Sequence, residues 1–264
     1  MKKHLIAVPY YVWAGVFIVV PLLMIGYCAF TDANGAFTLE NIQTITKYWP
    51  VMLRSLMYAA IATGCCLFFG YILAYFMAQQ SDRTKLILMI LLMLPMWISF
   101  VLRTQAMQDL LDLVQNWLKS SGIPLQVRNN GFAVVLGLIY NYLPFMVLPI
   151  YTSLEKMDKR IIEAAEDLGA NRFHIFRKII LPLSMPGVGS GIIMVFVPTI
   201  STFVVSEKLG GAKFNLIGNV IQEQFLQVYN PNVGAAISLV MLVLILFILI
   251  IFSFLDDETK EGLL

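Results

Sequence analysis

The sequence predicts an all-α, polytopic membrane protein with six transmembrane helices. Three observations carry this: an apolar excess, its division into six long runs, and a bias of basic residues toward one set of connecting loops. Hydrophobic residues make up 59% of the 264-residue chain and charged ones only 13%. That is about half the charged share of an ordinary soluble domain, which has no means of hiding so much apolar surface. The formal charge of +2 is too small to suggest a nucleic-acid partner. Cys28, Cys65 and Cys66 all lie inside apolar runs, so they read as small packing residues rather than a disulfide framework or a metal cluster.

The runs cover residues 5–30, 52–78, 86–102, 132–151, 188–205 and 233–255. Each approaches the ~17–25 residues a helix needs to cross the hydrocarbon core, where only self-satisfied backbones are stable. Lys2-Lys3 ahead of the first run resembles a secretory leader. No A-x-A-like cleavage site follows, and Pro9 and Pro21 interrupt the run, so it is expected to remain as the first span. Gly64 and Gly70 in the second run permit close helix approach, as do Gly187, Gly189 and Gly191 around the start of the fifth. Either a seam with another subunit or tight packing within one chain would use them. Pro95 and Pro198 interrupt the short third and fifth runs. Residues 119–130, with Gly122, Pro124 and Asn129-Asn130 before Gly131, read as an external loop. The chain is thus expected to be one membrane domain, 1–264.

Orientation follows from basic residues near the span ends. With the amino terminus inside, eleven Lys and Arg residues fall on cytoplasmic segments and seven on the opposite side, where loops are longer. Both termini are therefore expected to be cytoplasmic. The acidic Asp256-Asp257-Glu258 contributes little to this rule.

The cytoplasmic loop at about 152–187 is charged and helical in pattern. Asp158 is a plausible N-cap, Lys159 and Glu163 form an i,i+4 pair, and Ile161, Ala164, Ala165 and Leu168 share one face. Gly169 suits a left-handed C′ position, after which Asn171 caps a second helix with Phe173, Phe176 and Ile180 on one face. Pro182 and Pro186 are expected to stop that helix before the fifth span begins. Periodicity alone fits equally a pair of amphipathic helices lying on the membrane surface.

The residue order is more informative than the periodicity. Glu163-Ala164-Ala165-x3-Gly169-x9-Ile179-x-Leu181-Pro182 resembles, at every defined position, the EAA loop of permease subunits in binding-protein-dependent ABC importers. Three further stretches look like the spermidine/putrescine permeases of the first-subunit type. They are Pro95-Met96-Trp97 with Arg103, Leu143 to Pro149 before Ser153 to Asp158, and Gly210-Gly211-Ala212-Lys213 before Ile217 to Ile221. The resemblance implies a type I importer permease in the plasma (cell inner) membrane. It further implies a cytoplasmic ATPase dimer seated on Glu163, Ala164, Ala165, Leu168 and Gly169, a second homologous permease, and an extracytoplasmic solute-binding protein. Small Ala164 and Ala165 suit close approach, Leu168 an apolar anchor, and Glu163 charge-assisted bonds.

The chain contains no G-x4-G-K-[ST] phosphate loop, no H-E-x-x-H motif and no G-x-S-x-G elbow, while His4 and His174 stand alone. A transport subunit without cofactor or catalytic residues is expected, its ATP hydrolysed by a partner. Substrate signals are thinner. Trp97, Tyr140, Tyr142, Thr199, Thr202 and Glu207 are the candidate pathway residues, because aromatic faces and hydroxyls suit a flexible polycation and a carboxylate at the mouth steers its entry. The polar groups among them serve interhelical hydrogen bonding equally well, and the rings serve equally as interfacial anchors. Another small solute, such as an iron complex or an inorganic anion, fits the same class. A self-sufficient secondary transporter or channel would call for ionisable residues within the spans, which hold only Arg54 and Arg103 near their ends.

Overall fold

The computed structural model of the chain describes residues 9–211 and 214–261. Expectations resting on Lys2, Lys3, His4, Ala212 and Lys213, and on the side chains of Lys159, Asp256, Asp257, Glu258 and Lys260, lie outside that description. Helices dominate, and the described residues form no sheet, only an isolated bridge between Thr31 and Phe37 in a loop. Five helices are long and apolar enough to cross a membrane: α1 (Pro9–Ala29), α2 (Glu40–Ala78), α5 (Gly131–Glu155), α7 (Arg172–Ser201) and α10 (Pro231–Glu261, apolar over Pro231–Ile251). A bent pair, α3 (Asp82–Trp97) and α4 (Phe100–Ser120), joins them. Short α6 (Lys159–Asp167), α8 (Val204–Leu209) and α9 (Ile217–Leu226) complete the set.

The third span, expected over 86–102 with Pro95 interrupting it, is a bent pair running well beyond those bounds. α3 ends in a 3-10 turn, Leu94–Trp97, and α4 leaves at 94° to it. Pro95 lacks the N–H a regular turn would use, and Ile98 and Ser99 take extended backbone angles that swing the chain aside. The pair nevertheless crosses once. Lys85 at the start of α3 reaches Glu155 at the end of α5, placing those ends on one side. Arg128, just ahead of α5, pairs with Asp112 near the end of α4, placing those on the other. Counted this way, the described helices make six crossings.

The expected stop at Pro182 and Pro186 is also absent. α7 runs unbroken from Arg172 to Ser201, so the helix of the fifth crossing starts 16 residues before 188 and ends short of 205. Pro182 sits in the first turn after a π-helical segment, Phe176–Ile180, whose wider turn absorbs the missing donor. Thr202 then turns extended and ends the helix.

Small residues decide the central packing. Ala62, Cys66, Gly70 and Ala74 follow one another at i,i+4 along α2 and are all buried. A Cβ on Gly70 would lie 2.9 Å from Met146 of α5, and one on Gly187 would lie 2.5 Å from the Pro149 carbonyl oxygen. Gly191 likewise abuts Met146, whereas Gly64 faces open space. Of the two uses the sequence leaves open, Gly70, Gly187 and Gly191 serve packing within the chain. They bring α2, α5 and α7 together as the central layer.

A second cluster joins α1, α10, α9 and the outer end of α2. Polar staples hold the connections there. Asn232 donates to the carbonyls of Thr31 (2.6 Å) and Cys28 (3.1 Å), and the Ser55 hydroxyl accepts from the Ile217 N–H at 2.8 Å. In the same loop the N–H of Ala36, with that of Asn34, holds the Asp32 carboxyl below the usual carboxylate range.

Candidate functional site

The segment between α5 and α7 is built by its caps. Asp158 accepts from the Arg160 N–H at 3.0 Å and so starts α6, and Asn171 accepts from the His174 N–H at 2.7 Å and starts α7. Between them Gly169 adopts φ +81°, with its N–H on Glu166 and the Ala170 N–H on the Ala165 carbonyl, as in a Schellman turn. Each of these features was legible in the sequence.

The faces of α6 sort differently from the expected apolar stripe. Ile162 and Ala165 pack inward, while Ile161, Ala164 and Leu168 share the adjoining face, which is exposed. Leu168 is 89% exposed and Phe173, at the start of α7, is also largely uncovered. An exposed leucine and isoleucine around an alanine form a small apolar platform that no described residue covers, while Glu163 and Glu166 lie on the flank of α6 turned toward the neighbouring cavity. Behind it lies a cavity of about 460 Å³ whose lining includes Tyr75, Met157, Ile162, Glu166 and Arg172.

The platform is fixed to the spans at three points. Phe176 of α7 packs edge-on against Tyr71 and Tyr75 of α2, with centroids 5.8 and 5.7 Å away. The Tyr71 and Ser184 hydroxyls share a hydrogen bond of 2.8 Å. Lys85 Nζ, almost fully buried, lies 2.8 Å from Glu155 Oε1, three residues ahead of the Asp158 cap. No local signal links residues 70 apart, so the last pair was not legible in the sequence.

The pathway candidates divide into two groups. Tyr142 is buried between Phe100 and Phe145, at 5.9 and 6.2 Å between centroids, with its hydroxyl toward Thr202 and Arg103 nearby. Thr199 is buried and donates its hydroxyl to the Val195 carbonyl of its own helix. By contrast Trp97, 86% exposed at the break between α3 and α4, and Tyr140 and Glu207 face outward. Sequence reasoning passed over Thr104 and Gln108. They lie with Arg103 on the inward face of α4, where Asn141 of α5 donates to the Thr104 hydroxyl at 3.3 Å. The signal was available, since polar residues recurring at helical spacing in a helix whose other side holds Leu102, Leu113 and Trp117 mark a polar seam.

A capped helix pair between two spans, presenting an uncovered platform on one side of a six-crossing bundle, defines the membrane half of a transporter. The chain belongs to the family of binding-protein-dependent transport system inner membrane components, whose profile matches residues 67–261. It is 37% identical over 254 residues to the spermidine/putrescine transport system permease protein PotB of Escherichia coli (strain K12), covering 91% of this chain and 92% of that one. The corresponding protein of Haemophilus influenzae is 36% identical, with 91% and 89% covered. The fold matches a solved bacterial alginate ABC transporter in complex with an alginate pentasaccharide-bound periplasmic protein, at a TM-score of 0.76 and 15% identity, covering 97% of this chain and 94% of that one. The chain is thus a multi-pass inner-membrane permease of the ABC importer class, with an all-α fold.

Proposed function

We propose that this chain and a second, homologous permease form the route by which a polyamine of the spermidine/putrescine type crosses the membrane. A solute-binding protein delivers the polyamine from outside, and a cytoplasmic ATPase dimer drives transport. The observation that carries the reading is the uncovered Ile161, Ala164 and Leu168 platform with Glu163, held by the Asp158 cap and the Gly169 turn. The substrate class rests on the 37% identity to the polyamine permease over nearly the whole chain. Glu163, Ala164, Leu168 and Gly169 meet the ATPase, and Ala165, on the inward face, seats α6 on the spans. Both termini lie in the cytoplasm, on the platform's side, and residues 1–264 act as one permease domain.

Docking at the platform moves α7, and with it the α5–α7 contact at Gly187 and Gly191, so that access alternates between the two sides. Along the route Trp97, Tyr140 and Tyr142 offer aromatic faces, Thr202 a hydroxyl, and Glu207 an attracting carboxylate at the outer mouth. Thr199, its hydroxyl committed to Val195, supports the wall. The test is reconstitution. The chain alone in lipid should hydrolyse no ATP. The complex of both permeases and the ATPase should show hydrolysis stimulated by polyamine-loaded binding protein, together with polyamine uptake. ATP hydrolysis by the isolated chain, or a complete complex indifferent to polyamines, would overturn the reading.

A further inference from the structure

Arg103 carries a fixed charge deep in the protein, and nothing among the described residues answers it. It is 7% exposed, and its Nε and Nη1 are covered with no hydrogen-bond partner. Among the described residues ion pairs join Lys85 to Asp82 and Glu155, Arg128 to Asp112, and Arg160 to Asp158, and none of these includes Arg103. The Phe100 ring centroid lies 5.8 Å from its guanidinium carbon, and Tyr142 of α5 is nearby. One aromatic face does not replace the hydration a guanidinium loses on burial, so a buried arginine calls for a counter-charge.

The depth narrows the source of that charge. Tyr142 lies about 17 Å along α5 from Gly131 and about 20 Å from Glu155, at 1.5 Å per residue. Lipid headgroups do not reach that level. A polyamine is repelled by Arg103 rather than bound. Among the described residues near it, Asp112 is held by Arg128 and Asp109 by Gln105, Glu207 is exposed on α8, which packs against α4, and the buried unpartnered Gln108 Oε1 and Asn141 Oδ1 carry no charge. What remains is protein from outside the chain. Arg103 borders the side of α4 that exposes Leu102, Leu113 and Trp117, an apolar surface suited to a neighbouring membrane helix.

We propose that Arg103 is half of an intersubunit ion pair, its counter-charge an Asp or Glu carboxylate from a span of the second permease packed along α4. This rests on the pairing of two permeases under the proposed function. It assigns the pair a polar lock at mid-depth, where a buried charge specifies register and partner. A fixed cation beside Tyr142 is then neutralised whenever the two permeases are together, which keeps the adjoining route open to a polycation.

The test uses the complete complex. The tagged chain is co-expressed with the second permease and the ATPase, and the second permease recovered is measured against the chain's own membrane level. Arg103→Lys should retain most of the recovery, whereas Arg103→Gln should lower it by more than about tenfold, as expected when a buried charge loses its partner. In an Arg103→Glu background, replacing the span carboxylates of the second permease by Arg one at a time should restore assembly at one position. Normal recovery with both Arg103→Gln and Arg103→Glu would overturn the proposal. So would rescue of Arg103→Glu by Glu207→Arg in the same chain, or rescue by no position of the second permease, even where Arg103→Glu depletes the chain from the membrane. Wild-type complex that assembles but moves no polyamine would sink the substrate reading and leave the ion pair standing.

Discussion

Gly169 offers the sharpest test of whether the α6 turn is the docking element. Its φ is +81°, and an added Cβ would meet nothing within 4 Å. A substitution there therefore acts through the backbone alone. The left-handed conformation costs an ordinary L-residue ~1–2 kcal/mol, more if it is β-branched and little if it is Asn. That lowers the fraction of turns in the docking geometry about 5- to 30-fold. The expected order is Gly169→Asn near wild type, then Gly169→Ala, then Gly169→Val the most impaired. The readouts are ATPase co-purified per chain and polyamine-stimulated hydrolysis in proteoliposomes. Gly122, at φ +75° with equally open surroundings at the end of α4, is the control. Gly122→Val carries a similar backbone penalty on the opposite side and should leave ATPase recruitment intact. The reasoning fails if Gly169→Val binds and couples normally, or if Gly122→Val reduces recruitment as much.

Three other predictions concern packing, anchoring and the route. Gly187→Ala places a methyl 2.5 Å from the Pro149 carbonyl and should lower the thermal midpoint of the detergent-solubilised chain by overpacking of ~1–3 kcal/mol, while Gly64→Ala, facing open space, should not. Lys85→Met should destabilise the platform by ~1 kcal/mol, a modest figure because the Glu155 side chain is 38% exposed, and Lys85→Glu with Glu155→Lys should recover part of it. Equal melting of the single and double variants would remove the pair from the argument. Trp97→Ala and Glu207→Gln should each reduce polyamine uptake with ATPase recruitment intact, the Glu207 effect shrinking at high salt if it steers at long range. Unchanged uptake kinetics in both would take these residues off the route.

Much of the platform was legible because its determinants are local. Asp158 and Asn171 act on N–H groups two or three residues away, and Gly169 sets its own backbone angle. The face of α6 that turns outward was not legible, because Ala165 and Leu168 both fit an amphipathic stripe, and only packing against the core cluster separates them. Proline misled for a related reason. Pro182 and Pro186 stop an isolated helix, but Pro182 opens a new turn after the π-helical segment, and the Ser190 hydroxyl donates to the Pro186 carbonyl. Pro95 did break its span, since two extended residues follow it and no neighbouring turn compensates. The polar seam at Arg103, Thr104 and Asn141 depends on how α4 lies along α5, which the 94° bend determines and no local pattern encodes.

The unbroken course of α7 sets a mechanical ratio. Its 30 residues span about 45 Å, and Gly187, where it touches the α5 backbone most closely, falls near the middle. A rod pivoted at its centre has arms of about 20 Å, so a 10° tilt displaces each end by ~4 Å in opposite directions. If the ATPase tilts α7 about that contact, whatever it does to Arg172 is delivered to Ser201 at equal size and reversed sign. Closing the cytoplasmic end and opening the far end would then be a single motion, with no relay between them to fall out of step.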